Sequence, residues 1–123
     1  QKFRNQNSAG FDEYLNSIKI VNGVSILVEK VDNLDVNVLK DIIDKITATL
    51  NNALVFFANV VGDKVIFVCK NKNTTFNAGL LVKEAAIVTG GNGGGRPDFA
   101  QAGGRNIEMV EQALSTIKEK VGF

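Results

Sequence analysis

The chain has 123 residues, of which 45% are hydrophobic and 22% are charged, and its formal net charge is +1. These values are typical of one globular domain with its own core, and so small a charge argues against coating nucleic acid by bulk attraction. The absence of histidine and the single cysteine exclude an intrachain disulfide, a histidine–cysteine zinc site, and catalysis by a serine–histidine or cysteine–histidine pair.

The sequence carries no signal for a membrane or for secretion. Its longest apolar runs, ALVFFA and VIFVC, are far shorter than the roughly 20 residues of a membrane-spanning helix, and a signal-peptide pattern is missing. We therefore expect a cytoplasmic location and no membrane partner. Cys69 lies in a strand-like apolar run and is expected to be a small buried residue. The chain begins with Gln1 rather than Met, which suggests a piece of a longer protein.

The first elements predicted along the chain are a helical lead-in and a β-hairpin. Residues 1–16 are polar and weakly helical, and we interpret them as the end of a helical connector. Alternating apolar residues then lead into the turn signal Asn22-Gly23, and residues 24–31 form a β-branched run. The hairpin opens what we interpret as a single domain over residues 17–123.

Two helices and a second hairpin are predicted in the middle of the chain. Apolar residues recur at helical spacing after Asp35 and stop before Asn51-Asn52. Two continuously apolar runs flank Gly62-Asp63, which predicts a hairpin buried at the centre of a sheet. A second helix is predicted over residues 77–88, with Gly90 at its end.

The last element is a helix that begins near Asn106 and carries an apolar stripe toward the sheet. The predicted order is ββα-ββα, then a glycine-rich loop and this C-terminal helix. Such an order indicates an α/β (α+β) sandwich in which helices pack on a mixed central sheet.

Residues 88–104, VTGGNGGGRPDFAQAGG, hold seven of the twelve glycines and one of the three arginines. Glycine loses more backbone freedom on folding than other residues, so a run of it suggests that the backbone itself serves as a surface. We predict a loop here. Consecutive glycine N–H groups can form a concave nest for an anion, and a flat nucleobase can lie directly on such a backbone. A flexible surface loop and close helix–sheet packing remain alternatives.

The side chains around the glycines suit a ligand that carries a phosphate group or a flat base. Arg96 offers a planar fork for phosphate or a base edge, Gln101 both donates and accepts, and Arg105 closes the stretch. Residues 62–105 carry six lysine and arginine residues against three carboxylates. The predicted contact surface is formed by Gly91, Gly93, Gly94, Gly95 and Arg96, supported by Gln101 and Arg105, with Lys70 and Lys72 on phosphates. The two lysines could equally be ordinary solubilising residues at a strand end.

Other chemistry is less compatible with this stretch. Gly90 and Gly95 have the spacing of a phosphate-binding P-loop, but Arg96-Pro97 replaces the lysine and hydroxyl residue that such a loop requires. Asp98 is expected to form a salt bridge with Arg96 or a turn contact rather than to act as a base. Phe99 could stack on a base, although we favour an apolar anchor that pins the loop to the core. We predict no catalytic residue and no metal ligand.

The segment GGNGGGRPDFAQAGG closely resembles a signature near the C-terminus of alanyl-tRNA synthetases, in a module shared with DHH-type phosphoesterases. The resemblance covers about residues 17–121. Its Arg-Pro-Asp and Ala-Gln-Ala residues are more similar to the synthetases than to the phosphoesterases. It implies a single DHH-associated nucleic-acid-binding domain over residues 17–123.

The resemblance also implies a function. The module would be non-catalytic, would bind the outer corner of tRNA(Ala), and would present that tRNA to upstream aminoacylation and editing domains. ATP, magnesium and zinc would belong to the parent enzyme, with no cofactor in this fragment. The small net charge predicts weak, salt-dependent binding by the isolated domain.

Two other functions remain open. The chain could be a dimerisation or structural module of the same enzyme, in which residues 1–16 and one sheet edge form a homodimer. It could also be the substrate-binding half of a DHH-type phosphoesterase.

Overall fold

The computed structural model describes residues 14–123. The helical connector predicted over residues 1–16 therefore lies almost entirely outside the described residues, of which 14–16 are helical. The strands are β1 (Lys19–Val21), β2 (Val24–Asp32), β3 (Ala53–Val61), β4 (Lys64–Lys72), β5 (Asn92–Gly95) and β6 (Phe99–Gly104). The helices are α1 (Val36–Ala48), α2 (Ala78–Val88) and α3 (Val110–Val121), and a 3₁₀ turn at Ile107–Met109 precedes α3.

All six strands form one mixed sheet in the order β1-β2-β3-β4-β6-β5. The pair β2–β3 is parallel, and the other neighbouring pairs are antiparallel. Helix α1 connects the two parallel strands, as a parallel pair requires a crossover. The predicted α/β sandwich on a mixed sheet is confirmed, and β1 and β5 form the two sheet edges.

Local sequence signals account for most element ends. Asn22 and Gly23 both have positive φ, at 53° and 82°, which is the backbone of the two-residue turn that closes such hairpins. Asp35 accepts a hydrogen bond from the Asn37 N–H at 2.8 Å and caps α1. Asn77 caps α2 in the same way. These turns and caps lie where the sequence predicts them.

The core consists of two layers of side chains, one on each face of the sheet. Val55 and Phe57 of β3 pack toward α1, while Leu54 and Phe56 pack toward α2 and α3. Strand β3 is therefore buried on both faces, as predicted. Cys69 is fully buried in β4, and burial raises the pKa of its thiol well above the usual range.

The glycine-rich stretch is a β-hairpin, so its prediction as a loop is wrong. Strand β6 pairs with β4, and β5 forms the sheet edge beyond it. The two strands contain few residues with high strand propensity, but propensity reflects packing against neighbours more than backbone preference. Here the hairpin is supported by β4 on one side and by α2 across one face.

The hairpin glycines allow backbones to approach closely. A Cβ atom on Gly79 of α2 would overlap the carbonyl oxygen of Gly95 in β5, and one on Gly104 would overlap the Thr89 side chain. A Cβ atom on Gly95 would lie 2.8 Å from that of Ala100 in β6. Of the alternatives that the sequence left open, close helix–sheet packing is therefore the one that the structure confirms.

Asn71, near the end of β4, holds the hairpin turn in place. Its backbone N–H donates to the Asp98 carbonyl at 2.8 Å, and its side-chain amide donates to the carbonyls of Phe76 and Pro97. Its side-chain oxygen accepts from the Thr74 hydroxyl. One residue thus connects β4, the segment before α2 and the hairpin turn.

Gly79→Ala is expected to destabilise the domain although alanine favours helices. The gain in helix propensity is about 1 kcal/mol, but the new methyl group would overlap backbone atoms of β5, and such overpacking costs about 1–3 kcal/mol. We expect a lower free energy of unfolding in urea titrations. The matched control is Gly103→Ala, whose Cβ atom would lie 3.7 Å from its nearest neighbour, the Val65 carbonyl oxygen. A Gly79→Ala variant as stable as this control would contradict the close contact.

Asn71→Ala is expected to release the hairpin turn. The substitution removes the side-chain amide that donates to the Phe76 and Pro97 carbonyls, and it should lower the free energy of unfolding by about 1–3 kcal/mol. Hydrogen exchange should accelerate at the amides of Ala78 and Gly79, which donate to the turn. Thr116→Ala, which removes an exposed hydroxyl on α3, should leave both amides protected. Unchanged exchange in Asn71→Ala would show that the turn is held by other contacts.

Candidate nucleic-acid interface

Among residues 14–123, no helix covers one face of the glycine hairpin, because α1 packs against β2, β3 and β4 rather than over β5 and β6. Gly94 lies opposite Gln101, and Asn92 lies opposite Gly103. Directly opposed and alternating residues share one face of a sheet. These four residues therefore form a nearly flat surface, which we call the glycine floor.

The other face of the hairpin is closed by α2. Ala100, Ala102 and Gly104 are buried on this side. The predicted contact glycines therefore divide into two groups. Gly94, which is half-buried, shares the face of Gln101 by strand alternation. Gly93 and Gly95 are exposed, but a Cβ atom on either would overlap Ala102 or Ala100, and one on Gly91 would overlap the Gly103 carbonyl oxygen.

The predicted concave nest of N–H groups is wrong, because the glycines from Gly93 to Gly95 are in an extended strand. The start of α2 does not provide such a nest either. The N–H groups of Ala78 and Gly79 donate to the carbonyls of Pro97 and Arg96 at 2.9 and 3.1 Å. Backbone carbonyls of the hairpin turn thus occupy the donors that an anion would otherwise use.

Arg96 stands at the exposed tip of the hairpin. Its side chain is 79% exposed, and its Nε atom lies 3.5 Å from the Asp98 carboxylate. The predicted salt bridge between the two residues is confirmed. An exposed ion pair of this kind contributes at most about 1 kcal/mol, so it leaves the guanidinium free to exchange Asp98 for a phosphate group.

Lys70 and Lys72 contact α1. The Lys70 ammonium lies 2.9 Å from the Asp44 carboxylate, and Lys72 donates to the Thr47 carbonyl at 2.9 Å, near the C-terminus of that helix. Both lysines also line a groove of about 380 Å³ between α1, the end of β4 and the hairpin turn. We call it the lysine groove; its lining residues are Lys40, Asp44, Lys70, Asn71, Lys72, Asp98 and Phe99.

Phe99 joins the lysine groove to the glycine floor. It is half-buried against the core layer beneath α1, so the anchor role favoured from the sequence is confirmed. The Lys40 ammonium lies 5.7 Å from the centre of its ring, over the ring face. Phe99 precedes Gln101 by two residues on the same strand and therefore lies on the same face of the sheet.

Arg105 lies near Gly91 but far from Arg96 and the two lysines. It follows the far end of β6, where its N–H donates to the Thr89 carbonyl at 3.0 Å. Five residues of β6 lie between it and Phe99, and the six residue steps span about 20 Å. The structure therefore brings Gly94, Gln101, Arg96 and the two lysines to one side of the hairpin and leaves Arg105 at its other end.

Sequence reasoning missed Lys40 and Asn71. Lys40 lies in α1 and reaches the site only because α1 packs beside β4, an arrangement that depends on strand order. Asn71 had a local signal, because it is a polar residue that follows the apolar run of β4. Its hydrogen bond to the Pro97 carbonyl, 26 residues away, could not be predicted from that signal.

Residues 14–123 contain no cluster of three or more metal-binding side chains of the His, Cys, Asp and Glu types. In the same range, none of the helices combines the length and hydropathy required to cross a membrane.

Comparisons with known proteins agree with this architecture. A model of the DHHA1 domain family matches residues 23–122. The alanine–tRNA ligase of Carboxydothermus hydrogenoformans is 45% identical over 106 residues, which cover 84% of this chain and 12% of the ligase. That of Bacillus subtilis is 42% identical over 111 residues, covering 87% and 13%. The chain thus spans about an eighth of the length of these relatives.

Two solved structures are similar to the chain. The C-Ala domain of Aquifex aeolicus alanyl-tRNA synthetase superposes with a TM-score of 0.73 at 27% identity, covering 83% of this chain and 95% of that domain. PggH, a pGpG-specific phosphodiesterase from Vibrio, has a TM-score of 0.52 at 14% identity, covering 95% of this chain and 39% of the phosphodiesterase. The second likeness is one of fold alone.

The DHHA1 family model matches most of the chain. The two relatives described above, which are 45% and 42% identical to it, are alanine–tRNA ligases. The resemblance noted in the sequence is confirmed: the chain belongs to the DHHA1 domain family, in the form found in alanyl-tRNA synthetases.

Proposed function

We propose that the chain is a non-catalytic tRNA-binding module of an alanyl-tRNA synthetase, which docks the outer corner of tRNA(Ala) on the glycine floor. The observation that carries the proposal is the open face of the hairpin. Its glycines carry no side chains, and both Arg96 and the lysine groove lie at the end of the floor nearest the hairpin tip. Relatives that are alanine–tRNA ligases supply the class of RNA.

The shape of the glycine floor suits a stacked base pair. The corner of a folded tRNA presents a flat base-pair face with phosphates around it, and RNA is recognised by shape and stacking more than by groove readout. Gly94 and Gly103 would let the bases approach the peptide backbone directly. Gln101 between them could donate to or accept from a base or ribose edge.

The basic residues are arranged around this floor rather than on it. Arg96 extends from the hairpin tip, and Lys70 and Lys72 lie beyond Phe99. Arg96 would contact phosphate directly, whereas each lysine would have to share its ammonium with its α1 partner. Arg105 follows Gly103 by two residues and could reach RNA at the far end of the floor.

The remaining functions would belong to the rest of the parent enzyme. ATP, magnesium and zinc would be bound outside this chain, in the upstream aminoacylation and editing domains, and the enzyme would act in the cytoplasm. Because the module is tethered to those domains, even weak binding would raise the effective concentration of tRNA near them.

A homodimer is the second candidate, and one observation favours it. Strand β5 is an edge strand whose own side chains include no charge, and edge strands of this kind readily pair with another strand. Leu80 and Ile87 are 60% and 61% exposed on the neighbouring α2. A concentration-dependent dimer without measurable tRNA affinity in sedimentation experiments would favour this function over the first.

Gly103→Val is the substitution that tests the glycine floor most cleanly. A Cβ atom at Gly103 would lie 3.7 Å from its nearest neighbour, an ordinary contact, whereas Gly94 has a φ of 155°, which residues with side chains rarely adopt. The variant should fold normally, and we expect its affinity for tRNA(Ala) to fall about tenfold or more because the bases can no longer lie flush. Fluorescence anisotropy at fixed salt measures the change.

Arg96→Ala should weaken the same complex and lower the slope of log affinity against log salt by about one, the signature of one lost phosphate contact. Lys118→Ala removes one positive charge from α3, in the layer on the opposite face of the sheet, and serves as the control. If Gly103→Val and Arg96→Ala both bind like Lys118→Ala, the hairpin is not the docking surface.

A further inference from the structure

We propose that the lysine groove is a second RNA-binding site, which takes one unstacked nucleotide with its base against Phe99 and its phosphate at Lys40 and Lys70. The inference rests on the proposed function and extends it from the hairpin to the region between α1 and β4. None of the comparisons assigns this groove.

Three elements bring the relevant groups together. Phe99 begins β6 and lies directly opposite Lys70 of β4, while Lys40 approaches the ring from α1. The base-stacking surface and the two ammonium groups are therefore neighbours although they lie far apart in the sequence. A volume of about 380 Å³ lies at the lower end of the range for small-molecule sites and suits a single nucleotide rather than a duplex.

The charges of the groove favour an anion. Its three lysines face two carboxylates: Asp44 is paired with Lys70, and Asp98 is paired with Arg96 at the hairpin tip. Lys72 donates to a neutral carbonyl, and Lys40 lies over an aromatic ring. Within residues 14–123 Lys40 and Lys72 have no carboxylate partner, so the groove keeps a net positive charge. Lys70 would share its ammonium group between Asp44 and the bound phosphate.

The contact between Lys40 and Phe99 can be exchanged for two better contacts. An ammonium over an aromatic ring at an exposed site is a weak interaction, and stacking of a nucleobase on the same ring is stronger. A base that stacks on Phe99 in place of the Lys40 ammonium leaves that ammonium free to contact the phosphate group of the same nucleotide. Stacking tolerates any base, so the site would recognise an unstacked nucleotide rather than a sequence.

The groove continues the glycine floor. Phe99 and Gln101 are alternate residues on one face of β6, about 7 Å apart. A base pair docked on the floor and a nucleotide in the groove would thus be neighbours in one bound RNA. The ligand that fits both is a loop nucleotide turned out of the stack beside the tRNA corner, as in other proteins that bind splayed-out loop bases.

A purely structural role for the lysines predicts a different pattern. Lys70 and Lys72 tie β4 to α1, so their substitution could lower stability and binding together. Lys40 forms no hydrogen bond or ion pair within the described residues, which makes it the informative position. Phe99→Leu keeps an apolar anchor while removing the stacking surface.

The test is an NMR titration of the 123-residue chain with a single-stranded uridine hexanucleotide. We expect amide shifts at Lys40, Lys70 and Phe99, and about fivefold weaker binding or more for Phe99→Leu. Lys40→Ala should lower the salt slope by about one. Lys45→Ala is the matched control, since Lys45 lies on the same helix but pairs with Asp41 at 3.2 Å, outside the groove. Urea titrations check that the variants remain folded.

The outcomes separate this inference from the proposed function. If the unsubstituted chain binds tRNA but not the hexanucleotide, the groove inference is wrong. It is also wrong if Lys40→Ala and Lys45→Ala weaken hexanucleotide binding equally. Neither outcome contradicts tRNA binding on the glycine floor. If hexanucleotide binding depends on Lys40 and Phe99 but tRNA does not bind, the groove stands and the tRNA function fails. Gly103→Val should weaken tRNA binding while leaving the hexanucleotide unaffected.

Discussion

The direct backbone contact between α2 and the glycine hairpin is the constraint on which the site depends. Gly79 lets the first turn of α2 reach the backbone of β5, and the N–H groups of that turn bond to the hairpin carbonyls. This contact fixes the hairpin as the last two strands of the sheet. Within residues 14–123 it also leaves the opposite face of β5 and β6 without a covering helix, because α1 lies over other strands.

The concentration of glycine in one short segment then has two physical reasons. Gly91, Gly95 and Gly104 prevent overlap with neighbouring atoms, so the backbone entropy that they lose is offset by packing that no larger residue permits. At Gly94 the φ of 155° favours glycine. At Gly103 a Cβ atom would meet only an ordinary contact, so neither backbone conformation nor close packing explains glycine at this position of the open face.

Elements with local signals could be predicted from the sequence, whereas elements defined by distant contacts could not. The hairpin at Asn22-Gly23 and the cap at Asp35 follow from turn and cap chemistry within a few residues. Strands β5 and β6 carry little strand propensity and form because β4 and α2 support them. For the same reason the ion pair between Arg96 and Asp98, which are two residues apart, could be predicted from the sequence. The contact between Lys40 and Phe99 could not, because it depends on the order of the strands.

The glycine floor and the lysine groove together would allow a domain with almost no net charge to select a folded RNA. A net charge of +1 provides little long-range attraction, so shape must supply selectivity. A flat surface accepts any exposed base-pair face, and an aromatic groove accepts any unstacked base. Only an RNA that presents both side by side would satisfy the two surfaces together. Selectivity for a tRNA corner then follows from the spacing of two unselective contacts, and that spacing is set by β6, which carries both.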